Sequence, residues 1–175
     1  ALPISHRSIR GMRAGVQYVG AIHETPAVND GEDCEAEIVY GSSPAHALDP
    51  DRSLRILQAE LRRTPSDPRT RYYLAREHWY RRQWAAAQEH FEFTAEHSRF
   101  PGERADAWLY LARIHLHCGR ADTARTCCLQ ALAINADFRE ALMLLAEMSD
   151  PDNAARWRAY AALAENRNVL FVRAG

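Results

Sequence analysis

Not one of the 22 basic residues in this 175-residue chain is lysine; all are arginine. Compositional bias from a GC-rich genome accounts for such a replacement, whereas selection for bidentate gripping of phosphate or carboxylate requires the guanidinium groups to cluster. Excess charge of either sign is missing too, because 22 basic residues against 23 acidic ones leave a net charge of -1. A basic footprint for nucleic acid or for an anionic membrane surface is therefore not expected. No apolar run approaches the roughly 18 residues that a membrane-spanning helix needs, and no signal-peptide pattern opens the chain. Cysteine is scarce, and Cys34, Cys118, Cys127 and Cys128 form no CxxC pair. The neighbours Cys127 and Cys128 cannot both face one metal from a helix, so the spacing argues against zinc and predicts buried free thiols in a reducing, cytoplasmic compartment. An initiator methionine is lacking as well; the opening ALPISHR reads like the interior of a longer protein, and the chain is expected to be a C-terminal portion.

What is present is ordinary globular material, 47% apolar and 26% charged. That suffices for one substantial core, or for an elongated array with a small appendage. The organising stretch is Trp108 to Leu132, where two helix-length apolar-periodic segments flank a break at Gly119. Small residues, Ala112, Ala124 and Ala131, stand where two helix axes would cross closely, so the stretch predicts a helical hairpin. Its two helices are predicted over 105–117 and 121–134, and further ones over 51–63, 69–82, 84–97, 139–148 and 153–165, with breaks at Pro65 to Pro68 and at Phe100 to Gly102.

Residues 1–48 read differently. Strands are predicted over Gly15 to Glu24 and Glu35 to Tyr40, joined by a polar loop from Thr25 to Asp33. The acidic cluster Asp30, Glu32, Asp33, Glu35 and Glu37 lacks the ligand spacing of a calcium loop and reads as a solvated loop. Gly41 to Pro50 is a Gly/Ser/Pro-rich connector, and Val169 to Val172 a terminal strand or tail. The expected organisation is a β-rich segment at 1–48, a helical domain at 49–168 and a tail at 169–175, and the fold class mainly α.

Self-comparison shows a repeat. Leu74-Ala75, Leu111-Ala112 and Leu145-Ala146 recur at intervals of 37 and 34 residues, and Ala87 and Ala124 repeat at the same 37. A period near 34 with paired helices resembles the tetratricopeptide repeat. Trp108, Leu111, Ala112, His115, Gly119, Ala124 and Cys128 fit its pattern in one unit, and Leu74, Ala75, His78, Trp84, Ala87 and Phe91 in the preceding one. Departures are Arg71 where tryptophan is expected, three extra residues around Phe100 to Glu103, and a third unit that degenerates after Ala146. The helix at 51–63 then serves as the second helix of an incomplete leading unit. The resemblance implies a concave face for a peptide or protein partner, on which Tyr72, Arg76, Trp79 and Tyr80 sit beside Leu109, Arg113, Leu116 and His117; the alternative, which the residues favour, is a solvated or intramolecular face. Arg76 and Arg113 suit a carboxylate, although the Asn and Lys residues of the clamp that takes chaperone tails are absent.

A second resemblance concerns the opening residues. Tyr18, Gly20, His23 and Glu24 resemble the end of the catalytic domain in bacterial family 2 glycosyltransferases, and the order of linker, Ser53 to Leu61, Pro65 to Pro68, Tyr72 to Ala75 and terminal Leu170 to Val172 is similar to members that continue into tetratricopeptide repeats. This resemblance implies part of an inverting transferase acting on a nucleotide-sugar and an acceptor. It implies a divalent cation, Mg or Mn, held with an Asp-x-Asp motif in the full-length enzyme, and no cofactor in this chain. His23 and Glu24 would be catalytic, with His23 a metal ligand and Glu24 its anchor; the alternative is that both merely secure a strand. The donor-binding strands and that motif are expected to lie outside this sequence, so the chain alone is expected to be inactive. The competing expectation is a free-standing tetratricopeptide interaction module without catalysis.

Overall fold

The computed structural model describes residues 48–164 and a short strand pair nearer the N-terminus. The chain divides into two compact units, Ala1–Ile56 and Leu57–Gly175. In the first, β1 (Tyr18–Val19) pairs antiparallel with β2 (Thr25–Pro26), Tyr18 opposite Pro26 and Val19 opposite Thr25. β1 lies within the first expected strand, while β2 occupies the start of the expected loop; the strand expected at 35–40, the acidic cluster and the tail at 169–175 lie outside the described residues.

Seven helices follow among the described residues. They are α1 (Arg52–Arg63), α2 (Pro68–Tyr80), α3 (Trp84–His97), α4 (Pro101–His117), α5 (Ala121–Ile134), α6 (Arg139–Glu147) and α7 (Pro151–Leu163). The division between the units falls within α1. Ahead of that helix, Asp49 accepts two hydrogen bonds from Arg55, at 2.8 and 2.6 Å. The paired guanidinium holds the Asp49 carboxyl below its usual range.

In the second unit, sequential helices pair as hairpins, α2 with α3, α4 with α5 and α6 with α7, and α4 also packs on α3. Asp67 starts α2: its carboxylate accepts the backbone N–H of Arg69 at 3.2 Å and of Thr70 at 3.0 Å, with Pro68 in the first turn. Asp150 does the same for α7, accepting from Asn153 N–H at 3.1 Å ahead of Pro151. α4 corrects an expectation. Phe100 to Gly102 was expected to break the helical pattern, yet Pro101 opens the helix and Gly102 lies in its first turn. Proline's missing N–H costs nothing there, because the first N–H groups of a helix have no intrahelical partner anyway.

Alanine controls how closely the hairpins close. Ala75, Ala87, Ala112 and Ala124 are fully buried, and so is Ala131. Phe91 and Tyr110 stack between the first two hairpins, with centroids 4.5 Å apart and planes 11° apart. The turn after α4 uses Gly119 at φ 73, and the matching turn after α2 uses Arg82 at φ 57. Both close with the same backbone pattern: Gly119 and Arg120 N–H donate to Leu116 and His115, as Arg82 and Gln83 donate to Trp79 and His78, all at 2.9 Å. Arg139 fastens the third hairpin, its Nε donating to the carbonyl of Ala161 at 2.9 Å and an Nη to that of Ala164 at 3.3 Å.

Candidate binding face of the helical array

The first helices of successive hairpins, α2 and α4, bring the expected partner-binding residues onto neighbouring elements, but they do not use them alike. Tyr72 is fully buried, and its hydroxyl donates to the carboxylate of Asp106, 34 residues on, tying α2 to α4. Burial, and then the adjacent Asp106, push its phenol above the ordinary range. Trp79 is half-buried, edge-on to Trp84 at 4.9 Å and to Tyr110 at 5.0 Å. Leu109 is fully buried and Leu116 packs against the core. These four hold the hairpins together.

Arg76, Tyr80, Arg113 and His117 remain nearer the surface. Tyr80 is 63% exposed and accepts from Arg76 at 2.9 Å, and the same guanidinium lies 5.8 Å from the rings of both Tyr72 and Tyr80. Arg113 is half-buried and, like Arg76, has further interactions. His117 is exposed with its ring 5.1 Å from Trp84. A polar and aromatic strip of this kind can receive a peptide by stacking and hydrogen bonding. His23 and Glu24 lie outside the described residues.

Two clefts lie away from that strip. One, of about 510 Å³, runs between the start of α2, the end of α3 and the start of α4, lined by Asp67, Arg69, Ser98 and Glu103 among others. Glu103 is buried there; the Ser98 hydroxyl donates to it at 2.8 Å and Arg69 reaches it at 3.4 Å. Burial raises its carboxyl above the usual range, against the two donors. The other, of about 420 Å³, is lined by Gln58, Leu61 and Arg62 of α1, Leu74 and His78 of α2, and His90 of α3. Neither was visible in the sequence, because each forms only where three helices meet.

Among the described residues, no three His, Cys, Asp or Glu side chains converge on a point that could hold a metal ion. Two Asp-Pro-Asp triplets, 49–51 and 150–152, carry the letters of the Asp-x-Asp motif, but both stand at helix starts, with Asp49 on Arg55 and Asp150 capping α7. Burial raises the thiols of Cys127 to about 11 and of Cys128 to about 12, which disfavours the thiolate form at both. Cys118, expected to be buried, is exposed at the end of α4. No described helix is long and apolar enough to cross a membrane.

Residues 78–148 match the tetratricopeptide repeat family model. The match runs from the end of α2 to just past α6, and that region is a tetratricopeptide repeat region. No curated protein matches the chain.

Proposed function

We propose that the helical array is a protein-interaction scaffold which holds a peptide segment against α2 and α4, with Arg76, Tyr80, Arg113 and His117 as the contacting residues. The observation that carries this reading is the tetratricopeptide match over residues 78–148, a repeat whose stacked helix pairs form extended binding surfaces. Tyr80 supports it, because a large aromatic that is mostly exposed beside a guanidinium offers contact area at little cost in side-chain order.

The glycosyltransferase resemblance rests on His23, Glu24 and their surroundings, outside the described residues, and no match supports it. The interaction scaffold is therefore the reading advanced. A photo-crosslinking residue at position 80 should capture a partner in cells, whereas the same residue at Leu129, exposed on α5, should not. Equal capture at both positions would sink the proposal.

A further inference from the structure

Two imidazoles face each other across the α2–α3 seam. The rings of His78 and His90 lie 5.7 Å apart with planes at 16°. Arg71 sits beside them: its Nη1 is 3.3 Å from Nδ1 of His90, its Nε donates to the carbonyl of Pro65 at 3.0 Å, and its guanidinium lies 4.2 Å from the ring centre of Phe93. Nδ1 of His78 is 2.6 Å from the side-chain oxygen of Gln83. A guanidinium can only donate. Nδ1 of His90 is therefore the acceptor, and its hydrogen is on Nε2. This arrangement makes the pair a poor metal clamp, since a ligating imidazole nitrogen must be free of hydrogen.

The same arrangement makes the seam sensitive to acid. Protonation of His90 places a hydrogen on Nδ1, ends its bond to Arg71 and sets two cations against each other. The charges facing His90 are Arg71 and His78 from α2, Arg62 with the neutral Gln58 from α1 along the cleft, and Glu89 on its own helix. One carboxylate stands against two guanidinium groups and a second imidazole. In the next hairpin the positions 37 residues on carry Trp108 and Cys127 in place of Arg71 and His90, so no such acceptor exists there.

We propose that Arg71, His78 and His90 form an acid-released latch on the first hairpin: His90 takes a proton at Nδ1, Arg71 lets go of His90, and the α2–α3 seam loosens. The residue that departs from the repeat pattern, Arg71, is the one that holds the latch. Burial, foremost, and then Arg71 and His78 keep His90 below the usual imidazole range, with Glu89 acting against them. A group whose folded pKa is depressed leaves stability intact above its unfolded value, about 6.5 for histidine, and removes it as pH falls from there toward the folded value.

The test is a proton-carbon NMR titration of the histidine rings of the whole chain, with amide exchange followed from pH 7.5 to 5.5. His90 should titrate below the ordinary imidazole midpoint, and Arg71→Gln should raise that midpoint by roughly half a pH unit. After correction for intrinsic rates, acid should speed exchange in α2 and α3 about tenfold in the wild type and little in His90→Gln. An ordinary midpoint for His90 that ignores Arg71→Gln overturns the proposal, and so does acid-accelerated exchange in α2 and α3 that is undiminished in His90→Gln. If His90→Gln fails to fold, the Arg71→Gln titration decides alone.

Discussion

The first hairpin, α2–α3, and the second, α4–α5, share a backbone plan offset by 37 residues and differ in what fills it. Both close their turns with the same pair of backbone hydrogen bonds, yet the left-handed position is Arg82 in one and Gly119 in the other. Phe91 fills the place that Cys128 fills, Thr94 that of Ala131, and the polar group of Arg71 and His90 stands where Trp108 and Cys127 stand. The second hairpin thus depends on close helix approach between small residues. The first keeps the same small residues, Ala75 and Ala87, at its crossing and adds one large ring and directed polar contacts.

The strongest way to break this comparison is at the ring. Phe91→Ala should cost about 3–5 kcal/mol, since it empties a fully buried site that the stacked Tyr110 cannot refill; chemical denaturation measures the loss, and a cost below about 1 kcal/mol would remove Phe91 from the centre of the core. At the second hairpin, Ala112→Leu should cost about 1–3 kcal/mol by overpacking the crossing, and unchanged thermal stability would contradict that crossing. The turns give a reciprocal pair. Gly119→Ala should destabilise by about 1 kcal/mol through backbone strain alone, because an added Cβ would meet nothing within 4 Å. Arg82→Gly should be neutral or stabilising by up to about 1 kcal/mol, and a melting curve for each variant would show whether the two turns carry the same strain.

Acid gives the smallest effect and sharpens the comparison furthest. His115 is also held below the usual range, by burial first and by Arg120, with Glu92 opposing. Both His90 and His115 therefore withdraw stability as pH falls below about 6.5. Glu103 has the opposite sign: its raised carboxyl lowers the cost of burying charge once protonated. The melting temperature of the wild type should fall between pH 7 and 5.5, and His90→Gln and His115→Gln should each flatten part of that slope. A slope unchanged in both variants would assign the acid sensitivity elsewhere.

Much of the helical part was legible in the sequence. The expected spans of α3 and α5 agree with the structure to the residue, because their apolar spacing is uninterrupted and bounded by breaks. The start of α4 was missed by four residues, since Pro101 and Gly102 signal a break locally, whereas the first turn of a helix tolerates both. The candidate face was legible as a row but not as an environment. Periodicity placed Tyr72 beside Arg76; it could not show that Asp106, a full repeat away, would take the Tyr72 hydroxyl into the interior. The His78–His90 stack left no signal at all, for its two members lie on different helices and only tertiary packing sets their distance.

The extra turn of α4 has a consequence for how the repeats could be exchanged. At about 1.5 Å per residue, its 17 residues overreach the 13 of α2 by roughly 6 Å. That overhang carries Glu103 to Ser98 and Arg69 of the unit before it. The joint between the first and second hairpins is thereby keyed: a generic 34-residue module spliced in at that point would arrive without its key, leaving Arg69 and Ser98 facing an empty socket. Consensus replacement of units, routine for uniform helical arrays, would here have to respect one fixed order.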